Sequence, residues 1–286
     1  MRLALKRRAD WMMSSCFHEG SEHQVRLRGE CAEVIELGQG EPIVLVPGLA
    51  GGWRLLGPLA HLLARDHRVV SYGIRGDRFP IGAARPRDLD ELAQDLGALI
   101  DELGLERPAV FGVSFGGAIA LELAVAQPQR LGALMVQGVE ARFRATLGST
   151  IARRVLERFP LPTDNRFVNQ FFNLLHGGRP EPGPLVDFVV ERCWETDQSV
   201  MAQRIALLDG FDVSDRLWRI NVPTLVLAGS RDVIVPPLRQ RTLAAAIAGA
   251  RFELLEGAGH VGFLTHRVAV AERVRKLVRA LRHSPC

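Results

Sequence analysis

The chain has 286 residues, 47% of them hydrophobic and 24% charged, with a formal net charge of +4. That composition excludes bulk disorder, a collagen-like fibre and a disulfide scaffold, and the charge is too mild to make nucleic acid the main partner. The length suits one large domain or two smaller ones and is ample for a sizeable core.

The chain opens on a basic stretch, MRLALKRRADWMMSSC, without the unbroken apolar run of a secretory signal. Nothing in the sequence approaches the ~18 apolar residues of a membrane-crossing helix. Cys16, Cys31, Cys193 and Cys286 are scattered, with no CxxC or Cys/His metal spacing. Free thiols and a soluble, cytoplasmic protein are the expectation. Residues 1–23 read as an N-terminal extension.

Residues 24–28 and 31–37 alternate apolar and polar, which predicts an antiparallel hairpin at a sheet edge. Pro42–Val46 is a continuous apolar run, as a strand covered on both faces requires, and Arg68–Tyr72 is similar. Asp88–Leu103 has leucines at helical spacing. A strand follows at Pro108–Val113, a small-residue helix at Phe115–Ala126 and a strand at Leu134–Gln137. From Glu140 to Trp218 strand-like periodicity disappears, and helical segments are broken by prolines and glycines. The alternation resumes with a strand at Pro223–Ala228, a helix near 237–248, a strand at Arg251–Leu255 and a helix near 266–282. This rhythm predicts an α/β fold: a mostly parallel central sheet with helices on both faces. The core would comprise 24–139 and 219–286, with 140–218 inserted as a helical cap.

One motif carries chemistry. Gly112-Val-Ser114-Phe-Gly116 sits where a strand ends and a helix begins. A sharp turn there exposes a serine at a helix N-terminus. A serine hydroxyl needs a base, and the base an orienting acid. Of the eight histidines, His260 follows a strand on the loop Gly257-Ala-Gly-His260. His61 and His67 read as surface residues, and His176 as a residue of the insertion that could face a pocket. For the acid, Asp232 lies just past another strand end, in Gly229-Ser-Arg-Asp232. Glu140 also follows a strand and is the alternative.

The order Ser114, Asp232, His260, with the elbow motif, resembles that of the α/β-hydrolase superfamily, in its single-domain branch with a helical cap. The resemblance spans roughly residues 24–283. It implies a serine hydrolase cleaving an ester or similar acyl bond, with no metal and no organic cofactor. It also implies an oxyanion hole made by the backbone amides of Leu49 and Phe115. Relatives carry His-Gly where this chain has Pro47-Gly48, and an Asp followed by a Gly-x-Gly-x-Ser turn where it has Gly73-Ile-Arg-Gly-Asp77-Arg-Phe79. Relatives that are epoxide hydrolases or dehalogenases have an aspartate at the position of Ser114. Alternatives on the same three residues are a cofactor-free perhydrolase, a carbon–carbon bond hydrolase or a lyase. A non-catalytic ligand-binding member of the fold is the alternative of another class.

The insertion holds Phe143, Phe159, Phe167, Phe171, Phe172, Phe188 and Phe211, seven of the 13 phenylalanines. Phe171 and Phe172 are the substrate-binding candidates there, and Trp53, a pocket wall or core residue, is the candidate in the core. The last helix carries Arg267, Arg273, Arg275, Lys276, Arg279 and Arg282 against Glu272. That run is a solvated face or a site for an anionic partner.

Overall fold

The structure, a computed structural model, describes residues 20–77, 85–158, 162 and 165–281. Cys16, His18, Arg78, Phe79, Phe159, His283 and Cys286 lie outside the described residues, as does the side chain of Phe167.

The chain begins with β1 (Ser21–Leu27) and β2 (Glu30–Leu37), an antiparallel pair joined by Arg28-Gly29. Strand β1 therefore starts inside the segment expected to be an extension: Ser21, Glu22 and His23 pair with Glu36, Ile35 and Val34. Then come β3 (Pro42–Val46), α1 (Gly52–Leu63), β4 (Arg68–Tyr72), α2 (Leu89–Glu102), β5 (Ala109–Val113), α3 (Phe115–Ala126) and β6 (Ala133–Gln137). The next strand, β7 (Thr224–Gly229), is followed by α8 (Pro237–Ala245), β8 (Arg251–Leu255), a short α9 (Gly262–Thr265) and α10 (Arg267–Leu281). Between β6 and β7 the described residues form four α-helices, α4 (Leu147–Arg158), α5 (Arg166–Leu174), α6 (Pro184–Cys193) and α7 (Gln198–Leu208).

The eight strands form one sheet in the order β1-β2-β4-β3-β5-β6-β7-β8. From β4 to β8 every pairing is parallel. Such strands are covered on both faces, which is why Ile43, Val44, Leu45 and Val46 are all fully buried without polar alternation. Two apolar layers result, one with α2, α3 and α8 and the other with α1 and α10. Helix α3 is apolar all round and buried from Phe115 to Val125. Its Glu122 is the exception, compensated by Arg216 at 2.7 Å.

Strand order reverses between β3 and β5, so the chain leaves β3 toward one side of the sheet and β5 toward the other. The crevice beyond the carboxyl ends of such strands is where α/β sheets hold ligands. The segment between β6 and β7 packs on this edge, with Val168, Phe172 and Phe188 in the same apolar layer as α1. Phe143 N donates to Phe211 O, and Val213 N to Ala141 O.

Several basic side chains of α10 are paired within the chain. Arg273 meets Glu253 at 2.8 Å and Arg275 meets Asp66 at 2.9 Å, which ties these two to the core, while Arg282 lies outside the described residues. No helix among the described residues is long and apolar enough to cross a membrane.

Candidate active site

The turn after β5 places Ser114 at positive φ, φ 53° and ψ −116°, unusual for a residue with a side chain. Strain of this kind, worth roughly 1–3 kcal/mol, persists only where the surroundings impose it. Here Ser114 N–H donates to Gln137 O at 2.8 Å, and Ser114 O accepts from Ala118 N at 3.1 Å. The flanking glycines are required by space. A Cβ on Gly116 would overlap the carbonyls of Val46 and Pro47, and one on Gly112 the backbone of Gly116. The serine side chain thus stands above the sheet edge at the N-terminus of α3, whose first amides are free of helical acceptors.

Ser114 Oγ is 2.9 Å from His260 Nε2, and His260 Nδ1 is 2.9 Å from Asp232 Oδ2. Asp232 is fixed in turn. Its Oδ1 accepts from Ile234 N at 3.0 Å and Val235 N at 2.9 Å, and its Oδ2 from Gln240 Nε2 at 3.3 Å. Both Asp232 and His260 are buried. Since His260 leaves β8 and Ser114 leaves β5, the imidazole must reach back across the ends of β7 and β6. It crosses over Gly138, directly after β6, where a Cβ would stand 2.7 Å from His260 Cε1. Gln137 Nε2 holds the His260 carbonyl at 3.0 Å from below. Glu140, the alternative acid, instead pairs with Arg239 at 3.0 Å.

Above Ser114 and His260 opens a cavity of about 640 Å³, lined mostly by apolar side chains. Leu49, Phe115, Phe143, Phe171, Phe172 and Phe211 all reach it. Phe172 is buried, edge-on to Trp194 with ring centres 5.6 Å apart. Two other expectations are corrected. Trp53 lies in the apolar layer beneath α1, with its indole N–H 3.3 Å from Glu33 Oε2; it is core, because α1 turns that face toward the sheet. His67 is buried, its Nδ1 3.2 Å from Asp66 Oδ1. His176 in the insertion points its Nε2 into the protein with no hydrogen-bond partner, and burial holds its pKa below the ordinary imidazole value. Cys193 also lines the cavity, but burial pushes its thiol up to about 12, so it stays protonated at neutral pH.

The sequence profile of the alpha/beta hydrolase family matches residues 43–273. The chain belongs to that family. Among curated relatives of this α/β-hydrolase, a candidate carbamate hydrolase (RutD) of Azorhizobium caulinodans is 29% identical over 235 residues, covering 78% of this chain and 85% of the relative. The polyketide synthase ThaQ of Burkholderia thailandensis is 30% identical over 256 residues, 83% of this chain; the chain spans only 12% of that synthase. Among solved structures, an esterase from Exiguobacterium antarcticum superposes with a TM-score of 0.80 at 22% identity, over 91% of this chain and 100% of that one. An enol-lactonase from Burkholderia xenovorans gives a TM-score of 0.80 at 21% identity, over 90% and 100% of the two chains.

Some residues of the site carry no sequence signal. Gln240, fully buried on α8, links Asp232 to the strand beside it through Gly138 N–H, which donates to Gln240 Oε1 at 2.8 Å. Gly138 could have been suspected only as a glycine at a strand end. Arg204 and Thr196 of the insertion, which reach the loop after β3, had no sequence feature to mark them.

Proposed function

We propose that this α/β-hydrolase is a serine esterase acting on a largely apolar acyl ester through an acyl-enzyme. The observation that carries the reading is the unbroken chain Ser114–His260–Asp232, two contacts of 2.9 Å, at the floor of an apolar cavity. Ser114 Oγ attacks the carbonyl carbon while His260 Nε2 takes its proton. The same nitrogen returns the proton to the leaving alcohol. Asp232 accepts from His260 Nδ1–H, which keeps the lone pair on Nε2 and stabilises the imidazolium. The tetrahedral oxyanion lies between the amides of Leu49 and Phe115. Water enters after the alcohol leaves, loses a proton to His260 and releases the acid. Residues 140–218 act as a cap, with Phe171 and Phe172 against the acyl chain.

The relatives are named for carbamate, ester and enol-lactone substrates, all acyl bonds open to the same attack. The volume favours an ester with a sizeable acyl chain, since a cavity of about 640 Å³ lies in the range that encloses a drug-sized ligand and far exceeds a carbamate. The test is labelling with an alkyl fluorophosphonate together with hydrolysis of p-nitrophenyl esters. Wild-type protein should be labelled at Ser114 and turn over. Ser114→Ala should do neither, keeping a residual rate of at most about 10³–10⁴ over water. Near wild-type turnover by Ser114→Ala refutes the reading.

A further inference from the structure

Both residues assigned to the oxyanion hole touch one side chain from the four-helix insertion. Arg204 lies midway along α7, and its side chain is 2% exposed. A buried guanidinium must be paired and hydrogen-bonded to be tolerated. Arg204 Nη1 donates to the Leu49 carbonyl at 2.9 Å, and Nη2 donates to Asp77 Oδ1 at 2.8 Å and approaches the Ile74 carbonyl at 3.5 Å. The guanidinium carbon is 5.5 Å from the centre of the Phe115 ring. Asp77 is itself immobilised, because its Oδ2 accepts from Ile74 N at 2.9 Å. Two residues beyond Leu49, Gly51 N donates to Thr196 Oγ1 of the same insertion at 2.9 Å.

These contacts join the loop after β3 to the loop after β4. Position 47 is proline and has no N–H to donate to its own loop. The loop after β4 supplies Asp77. Arg204 bridges the two.

We propose that Arg204 is a positioning residue for the oxyanion hole, restraining the Leu49 loop and the Phe115 end of α3 and so coupling the insertion to the chemical step. This rests on the serine-hydrolase reading above. Arg204 touches neither substrate nor reacting atoms. It acts by fixing Leu49 on its carbonyl side, so that the amide on its other side points at the developing charge without reorganisation.

The test is the double variant Arg204→Met/Asp77→Asn, which removes both charges together and leaves Asp77's acceptor for Ile74. Its readouts are thermal melting, kcat and KM on a butyrate ester, and the inhibition constant of an alkylboronic acid, whose tetrahedral adduct carries an oxygen into the hole. Losing one oxyanion donor typically lowers kcat by about 10²–10³. The expectation is a kcat about 100-fold down, KM within about threefold and boronate inhibition weakened in proportion to kcat. A purely structural role would instead lower the fraction of protein that fluorophosphonate titrates, and leave kcat per titrated site and boronate affinity unchanged. That outcome overturns the proposal, as does a folded double variant with kcat within threefold of wild type. If the double variant does not fold, Arg204→Lys decides. It keeps a charge for Asp77 but cannot span to Leu49, and should lose about tenfold in kcat; a loss under twofold overturns the proposal. Ser114→Ala separates the two readings. If it stays active, the serine mechanism fails. If it is inactive while the Arg204 variants are fully active, only the positioning role fails.

Discussion

A single methyl group on Gly138 should slow this enzyme about 100-fold while leaving it folded. In Gly138→Ala the new Cβ would stand 2.7 Å from His260 Cε1 and 3.0 Å from Nδ1. Carbon atoms rest at about 3.5–4.0 Å, so the imidazole must retreat by about 1 Å. The Ser114–His260 contact is 2.9 Å, and such a retreat takes it outside the ≈ 2.6–3.2 Å reach of a general base. A misplacement of about 1 Å costs roughly 10² in rate, so kcat should fall about 100-fold. The backbone contributes separately, because φ is +69° at Gly138, and an alanine in that region costs roughly 1–2 kcal/mol. Gly249 isolates this second effect: its φ is +71° and a Cβ there would meet nothing within 4 Å. Gly249→Ala should lower Tm by about 2–8 °C, as 1–2 kcal/mol implies for a chain of this size, and leave kcat within twofold. The assay is kcat on p-nitrophenyl butyrate with melting curves for both variants. If Gly138→Ala matched Gly249→Ala in kcat as well as in Tm, His260 would not be held over Gly138 as described.

Asp232→Asn should lower kcat by roughly four orders of magnitude, because two backbone amides on the Oδ1 side demand an oxygen there and turn the new NH₂ toward His260 Nδ1. Glu140→Gln breaks only an ion pair with the half-exposed Arg239 and should change stability by under about 1 kcal/mol and kcat not at all; the reverse ranking in steady-state kinetics moves the acid to Glu140. Selectivity among p-nitrophenyl esters should rise about fourfold in kcat/KM per added methylene, at roughly 0.8 kcal/mol each, until the cavity is full. Phe171→Ala should flatten that slope while sparing the acetyl ester, and a slope identical to wild type removes Phe171 from the acyl site. His176 has a folded pKa below its unfolded value, so the unfolded state takes up more protons as pH falls and stability drops below about 6.5. His176→Phe should therefore gain on wild type in urea unfolding at pH 5 relative to pH 8, and a difference independent of pH contradicts the sign.

Where a side chain's task is set by its neighbours along the chain, the sequence determined it alone. The continuous apolar runs Ile43–Val46 and Ala109–Val113 announce strands covered on both faces, and they are. The glycines around Ser114 announce a turn too tight for any Cβ, and the space at Gly112 and Gly116 agrees. The rule that loops at the carboxyl edge of a parallel sheet carry its site drew attention to Ser114, Glu140, Asp232 and His260, and the resemblance to the family's order singled out Ser114, Asp232 and His260. Tertiary structure decided what depends on crossing between elements. The choice between a core and a pocket position for Trp53 turned on how α1 is rotated over the sheet, which 3.6-residue periodicity does not fix. His67 reads as a surface turn residue locally and is buried. Gln240 reaches Gly138 across 102 positions and Arg204 reaches Leu49 across 155. Nothing local marks either residue, because its partners come together only when the sheet closes and the insertion folds back over it. A charge such as Arg204 is tolerable in the interior only once those distant acceptors surround it.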